Sequence, residues 1–152
     1  MAAPAGTFKW FGKGMQAVMA GSIPLGGSDI YAMISTVSYV PNQDTDDFRN
    51  DVTNEVTGDV YTATGKQCTC SLTYDAASNE ARFIVTDLAW TSATITGRVV
   101  TFYRKLGGAS SADPLIGYIV YDQDVSSTNG TWTADIDSAA ANGGALGYVT
   151  VA

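Results

Sequence analysis

The sequence predicts an all-β fold, an antiparallel β-sandwich preceded by a short N-terminal arm and helix. Three observations carry that prediction. Residues 66–74, KQCTCSLTY, alternate strictly between apolar and polar side chains, the period of a strand with one buried face. Runs rich in β-branched and aromatic residues recur along the chain, each ending at Gly, Pro, Asn, Asp or Ser at the roughly 8–12-residue spacing of sandwiches and barrels. Hydrophobic residues make up 45% of the 152 and charged residues 15%, enough apolar surface for a core and too little charge for a disordered chain. A chain of this length fits one domain, with 1–20 as arm and helix and 21–152 as the sandwich.

Each element has its own signal. MAAPAGT, residues 1–7, is small and Pro-containing and reads as a loose arm. FKWFGKGMQAVMAG sets Phe11, Met15, Val18 and Met19 at helical spacing, so a short amphipathic helix is expected near 8–20, weakened by Gly12 and Gly14. GSIPLGGS is a turn-rich connection into DIYAMISTVSYV, a strand ending at Pro41. In KQCTCSLTY, the side chains of Cys68, Cys70, Leu72 and Tyr74 share the face expected to be buried. DAASNE turns the chain, and ARFIVTDLAW, 81–90, returns as the second strand of a hairpin. SATITGRVVTFYRK, LIGYIVYDQ, TWTADID and ALGYVTVA supply the remaining strands, with LGGASSADP and the Gly/Ser/Ala-rich stretch 138–145 as loops.

Composition excludes several functions. The net charge is −7 and only Arg104 and Lys105 among the eight bases are adjacent, so there is no footprint for a nucleic-acid partner. No run approaches the roughly 20 apolar residues of a membrane span, and no leader is recognisable at the N-terminus, so a soluble protein made in the cytoplasm is expected. With no histidine, Ser and Cys triads lack their usual base, and Cys68 and Cys70 alone cannot complete a zinc site. A bridge between these two cysteines would be strained, so both are expected to be reduced. GKGMQA, 12–17, matches G-x-G-x-x-A with Asp29 downstream, but no adequate strand precedes it and no βαβ unit follows. No cofactor, metal or catalytic residue is therefore assigned.

Residues 39–58, YVPNQDTDDFRNDVTNEVTG, place five acids and one base between Asp44 and Glu55. An EF-hand loop starting at Asp44 finds Asp46 and Glu55 in register, but Phe48 and Arg49 fall where a ligand and a glycine are needed. The remaining alternatives are a looser carboxylate site for Ca²⁺ and a capped turn. In the second, Asp44 or Thr45 caps a short helix, Asp46 and Asp47 favour its N-terminal end, and Phe48 and Val52 pair at i, i+4. The candidate residues are thus Asp44, Asp46, Asp47, Asp51, Glu55 and Arg49, expected to order a loop by holding backbone N–H groups and Arg49 or a partner's bases. Trp90 and Trp132, in or beside strands, are expected in the core. Trp10, with Phe8 and Phe11 beside the arm, is the candidate interface anchor.

The ordered series formed by Pro41 to Asp44 with Asp47 and Phe48, Asp51 to Gly58, Tyr74 to Ala77, Trp90, and Leu115 to Tyr118 resembles a family of small tailed-bacteriophage virion proteins. The resemblance spans roughly residues 20–152 and leaves the arm and GMQAVM outside it. It implies a non-enzymatic particle component, a capsid decoration or cement protein on the head exterior, with the major capsid protein as partner and a homotrimer as the favoured oligomer. The alternatives are a tail, neck or fibre component that recognises host-surface carbohydrate, and a paired-carboxylate enzyme.

Overall fold

The computed structural model describes residues 6–134, 136 and 146–150. Its elements are β1 (Gly6–Trp10), α1 (Gly12–Met19), β2 (Ile30–Ser35), β3 (Lys66–Gln67), β4 (Cys70–Asp75), β5 (Glu80–Val85), β6 (Leu88–Arg104), β7 (Leu115–Ala134) and β8 (Gly147–Thr150). Five strands form one antiparallel sheet in the order β1-β7-β6-β2-β3, and three form a second in the order β4-β5-β8. The architecture is the expected all-β one, sandwich-like, with a short helix near the N-terminus. The ends of the predicted arm and last strand, and the predicted loop at 138–145, lie outside the described residues.

The period-two alternation of β2 sends its side chains to two different cores. Ile30, Ala32 and Ile34 join Val100 and Phe102 of β6, Ile116 and Ile119 of β7, and Phe83 and Val85 of β5 in the core between the sheets. Met33 faces the other way, into a second cluster with Phe11, Tyr103, Leu115 and Tyr118. The large sheet is therefore buried on both sides of its centre.

Several boundaries differ from the sequence expectation. Residues 6–10 are not a loose arm or the start of a helix. They pair with β7 from Gly6↔Tyr121 to Trp10↔Gly117, because TFKW alternates and its aromatics fill the core edge. Phe8 packs edge-on to Trp10, with centroids 4.9 Å apart, and Trp10 lies 6.1 Å from Phe83 of the small sheet. The helix begins only at Gly12, where a bulge between Phe102/Tyr103 and Gly117/Leu115 leaves the Ile116 carbonyl to accept from Phe11 N at 3.1 Å. A Cβ at Gly14 would collide with the carbonyls of Leu115 and Ile116, so the glycine that suggested a nucleotide motif instead lets the helix seat on β7. Residue 20 is consequently no boundary between an arm and a domain.

The predicted strand 29–40 stops at Ser35, after which Tyr39 N closes a turn on Thr36 O at 3.2 Å. ARFIVTDLAW is two strands: β5 belongs to the small sheet, β6 to the large one, and Thr86–Asp87 is the crossing. β6 and β7 run through 17 and 20 residues, absorbing the separately expected segments, and bend at bulges along their shared ladder. KQCTCSLTY likewise passes from β3 to β4. Its apolar face is buried at Cys68 but 56% exposed at Leu72 and 58% at Tyr74, since β4 is the edge strand of the small sheet and climbs out of the core.

Candidate functional site

Residues 36–65 connect β2 to β3, and the acidic stretch lies within them. Tyr39 is buried, and Val52 packs onto the second cluster on the outer face of the large sheet. Further along, Val56 and Tyr61 turn round the β2 side and join the main core, Tyr61 lying 5.9 Å from Trp90.

The acids hold this path in place. Asp46 Oδ2 accepts from the Tyr39 hydroxyl at 2.9 Å and from Asn42 N at 3.0 Å. Asp51 Oδ2 accepts from Asp47 N at 2.9 Å and Phe48 N at 3.1 Å. Glu55 Oε1 accepts from the Tyr61 hydroxyl at 2.7 Å and Thr64 N at 2.6 Å, while the same hydroxyl accepts from Ile34 N at 3.0 Å. Glu55 thus fastens two parts of the connection to the end of β2. Asp44 contributes its backbone N–H, donated to Asn42 Oδ1 at 3.0 Å.

The helix expected to start at Asp44 or Thr45 is instead a three-residue 3₁₀ turn, Arg49–Asp51. Asp51, at its end, reaches back to the orphan N–H groups at its start, which is one half of a capping box. The backbone of Phe48 forms a bridge with Pro114, and Val52 packs against the second cluster. Arg49 turns from the acids of its own stretch to Asp113, Nε to Oδ2 at 2.8 Å, with Asp113 only 1% exposed. Asp113 Oδ1 accepts from Leu106 N at 2.8 Å, and Arg49 N donates to Asp113 O at 2.9 Å. Both carboxylate oxygens of a buried acid are therefore met, and the guanidinium also lies 5.5 Å from the centre of the Tyr103 ring.

These contacts set the ionisation of the groups. The N–H groups of Phe48 and Asp47 hold Asp51 below the usual carboxylate range, whereas partial desolvation and the hydrogen bond shared with Asp51 push Asp47 up. Burial, reinforced by Asp46, raises the Tyr39 hydroxyl well beyond its ordinary value, and burial raises Tyr61, with Glu55 adding to it. Burial pushes Tyr103 up to about 12. At neutral pH the Tyr39 and Tyr61 hydroxyls remain donors to Asp46 and Glu55, and Tyr103 donates to the Thr64 carbonyl at 2.6 Å.

The same stretch is stitched to its neighbours. Gly12 N donates to Gln43 O at 2.9 Å, Gln43 Nε2 donates to Trp10 O at 2.6 Å, and Leu115 N donates to Asp47 O at 3.0 Å. Where α1, Asp47–Phe48 and the 106–114 loop meet, they enclose an open groove of about 810 Å³ lined by Lys13, Gln16, Ala17, Phe48, Arg104 and Pro114 among others. Arg104 is held there by Asp29, Nε to Oδ2 at 2.6 Å. The groove is a broad, open depression whose lining includes Lys13 beside Asp47.

The aromatic anchor needs correction. Phe11 is fully buried with its ring tilted at 4.8 Å from that of Tyr118, while Phe8 and Trp10 are half-buried against this chain's own core. Folding uses these three side chains, because residues 6–11 complete the large sheet. Trp90 and Trp132 are 5% and 1% exposed and pack edge-to-face at 5.7 Å, in the core as expected. Sequence reasoning missed Tyr39, Tyr61, Gln43 and Asp113 as partners of the acidic stretch. The one local hint was that Tyr39 and Gln43 flank its start.

Among the described residues, no three His, Cys, Asp or Glu side chains stand together in a way that could hold a metal ion. Asp46, Asp51 and Glu55 each serve different donors, and the arrangement can order backbone. No family model, curated protein or solved structure matches the chain.

Proposed function

We propose that this chain is a structural component of a tailed-bacteriophage particle, a decoration protein that binds the outside of the head and stabilises it. The observation that carries the reading is the use of the acidic stretch: Asp46, Asp51 and Glu55 each commit one carboxylate oxygen to Tyr39, Tyr61 or backbone N–H groups. The part of the sequence most suggestive of chemistry is thus employed as architecture, as a rigid brick requires. The ordered resemblance described above supplies the particle context, and the net charge of −7 suits a surface facing away from packaged DNA.

The partner in this reading is the major capsid protein, and the working oligomer is a homotrimer. Binding to the assembled shell stabilises it by mass action, since a ligand of the intact state makes rupture more costly. With Phe8, Trp10 and Phe11 committed to the fold, docking falls to other exposed groups. The rival reading as a carbohydrate-binding tail or fibre protein needs aromatic platforms, and burial of Trp90 and Trp132 weighs against it.

The test is the copy number of the chain in purified particles, by quantitative mass spectrometry against the shell protein. A number comparable to that of the shell protein is expected. A few copies per particle would refute head decoration and point to the tail, neck or fibre.

A further inference from the structure

Cys68 and Cys70 stand where the chain leaves the large sheet and enters the small one. Cys68 N donates to Ile30 O at 2.8 Å, and Thr86 N donates to Thr69 O at 3.1 Å, so the backbone is fixed on both sides of the pair. Cys68 follows the end of β3 and Cys70 opens β4, with only Thr69 between them. Cys68 is 4% exposed and Cys70 half-buried against the same core. The interaction between the two thiols, together with burial, pushes Cys68 up, and the same interaction lowers Cys70.

A disulfide needs Cα atoms about 4.4–6.8 Å apart and Cβ vectors that converge, and a bridge closing a loop of one intervening residue is strained. Two thiolates on one metal ion, with bonds of about 2.3 Å each, sit up to about 4.6 Å apart, a looser requirement than a direct sulfur–sulfur bond. A depression of about 340 Å³ lined by Gly26, Gly27, Ser28 and Gln67 opens onto both cysteines; glycines 26 and 27 put no side chain over the entrance.

We propose that Cys68 and Cys70 form a two-sulfur site for a soft monovalent d¹⁰ cation, Cu(I) or Ag(I). Soft thiolates select such ions, and a linear two-coordinate geometry asks for no third ligand, in keeping with the absence of a three-residue ligating group among the described residues. Each thiol gives up its proton as its bond to the metal forms. One cation therefore replaces two protons, with no change of oxidation state, and the occupied site carries one net negative charge.

The test uses the reduced full-length chain under anaerobic conditions, competing with a chromogenic chelator for Cu(I). The expected result is one Cu(I) per chain, two sulfur scatterers in the X-ray absorption spectrum, and at least tenfold weaker retention in C70S. Because Cys68 is buried, C68S risks misfolding, so the decision rests on half-exposed Cys70 and on the spectrum of the unaltered chain. Less than half an equivalent of copper, a single sulfur scatterer with lighter atoms, or unchanged retention in folded C70S would each overturn the proposal.

Discussion

The two faces of the five-stranded sheet are covered by different means. On the inner face a second sheet lays Phe83 and Val85 against Ile34, Val100 and Phe102, and the contact is apolar throughout. On the outer face an irregular, acid-rich stretch is pinned by carboxylates to tyrosine hydroxyls and backbone N–H groups, with Met33, Tyr103 and Tyr118 beneath it. The first cover depends on buried area and packing. The second depends on ionised side chains and on a buried pair joining segments 64 residues apart. A cluster of acids that reads as a ligand site can thus be the means by which a chain with few helices covers the second face of its sheet.

The sharpest way to break this comparison is to damage each cover separately. Phe83→Ala opens a cavity in the inner core and should cost about 3–5 kcal/mol, read as a fall in the urea midpoint. Arg49→Ala leaves Asp113 buried and unpaired and should cost a similar amount, about 3–5 kcal/mol. Its loss should concentrate in the outer cover, seen as faster amide exchange around residues 44–52. An Arg49→Ala variant of parental stability would remove the ion pair from the account.

Asp51→Ala should cost about 0.5–2 kcal/mol, the range of a lost N-cap acceptor, whereas Asp51→Asn keeps an acceptor and removes only the charge. The same residue gives the outer face a pH dependence. Its folded value is depressed, so its contribution is complete above the ordinary Asp value near about 3.9 and is lost as pH falls through the lowered folded value. Asp47 acts in the opposite sense: its raised value gives a contribution present below the ordinary range and lost as pH rises through the raised one. Denaturant midpoints measured from pH 5 to pH 2 should therefore fall less steeply in Asp51→Asn than in the parent, and Phe83→Ala should keep the parental slope. Equal slopes in all three would mean that the outer cover carries no special acid sensitivity. The smallest effect is expected at Asp44→Asn, within about 0.5 kcal/mol, because the interaction made by this residue here is through its backbone N–H.

Much of the fold was legible because the responsible signals are local. TYDAASNEAR reads as a hairpin from its turn residues, and β4 and β5 pair from Cys70↔Val85 to Asp75↔Glu80. Trp90 and Trp132 read as core from their strand context. The errors arose where a local pattern served a distant partner. FKWF looks like the start of a helix until Gly117 and Ile119 are available to pair with Trp10 and Phe8. Thr86–Asp87 carries no strong turn signal, yet the chain changes sheets there. In the acidic stretch, the reading of acids as backbone acceptors could be made from composition and spacing, but the direction could not: Asp51 reaches back to Phe48, and Arg49 selects Asp113 beyond any local window.

The most direct test of the central claim, that the acids fix the outer cover, is amide hydrogen exchange followed residue by residue at neutral pH in the parent and in Asp51→Ala. Asn42, Phe48 and Thr64 donate to Asp46, Asp51 and Glu55, so their N–H groups should be protected in the parent, and Phe48 should lose its protection in Asp51→Ala while the amides of β6 and β7 keep theirs. Unprotected exchange at all three positions at neutral pH would contradict the claim and return the acidic stretch to the status of an open loop with its carboxylates free for another use.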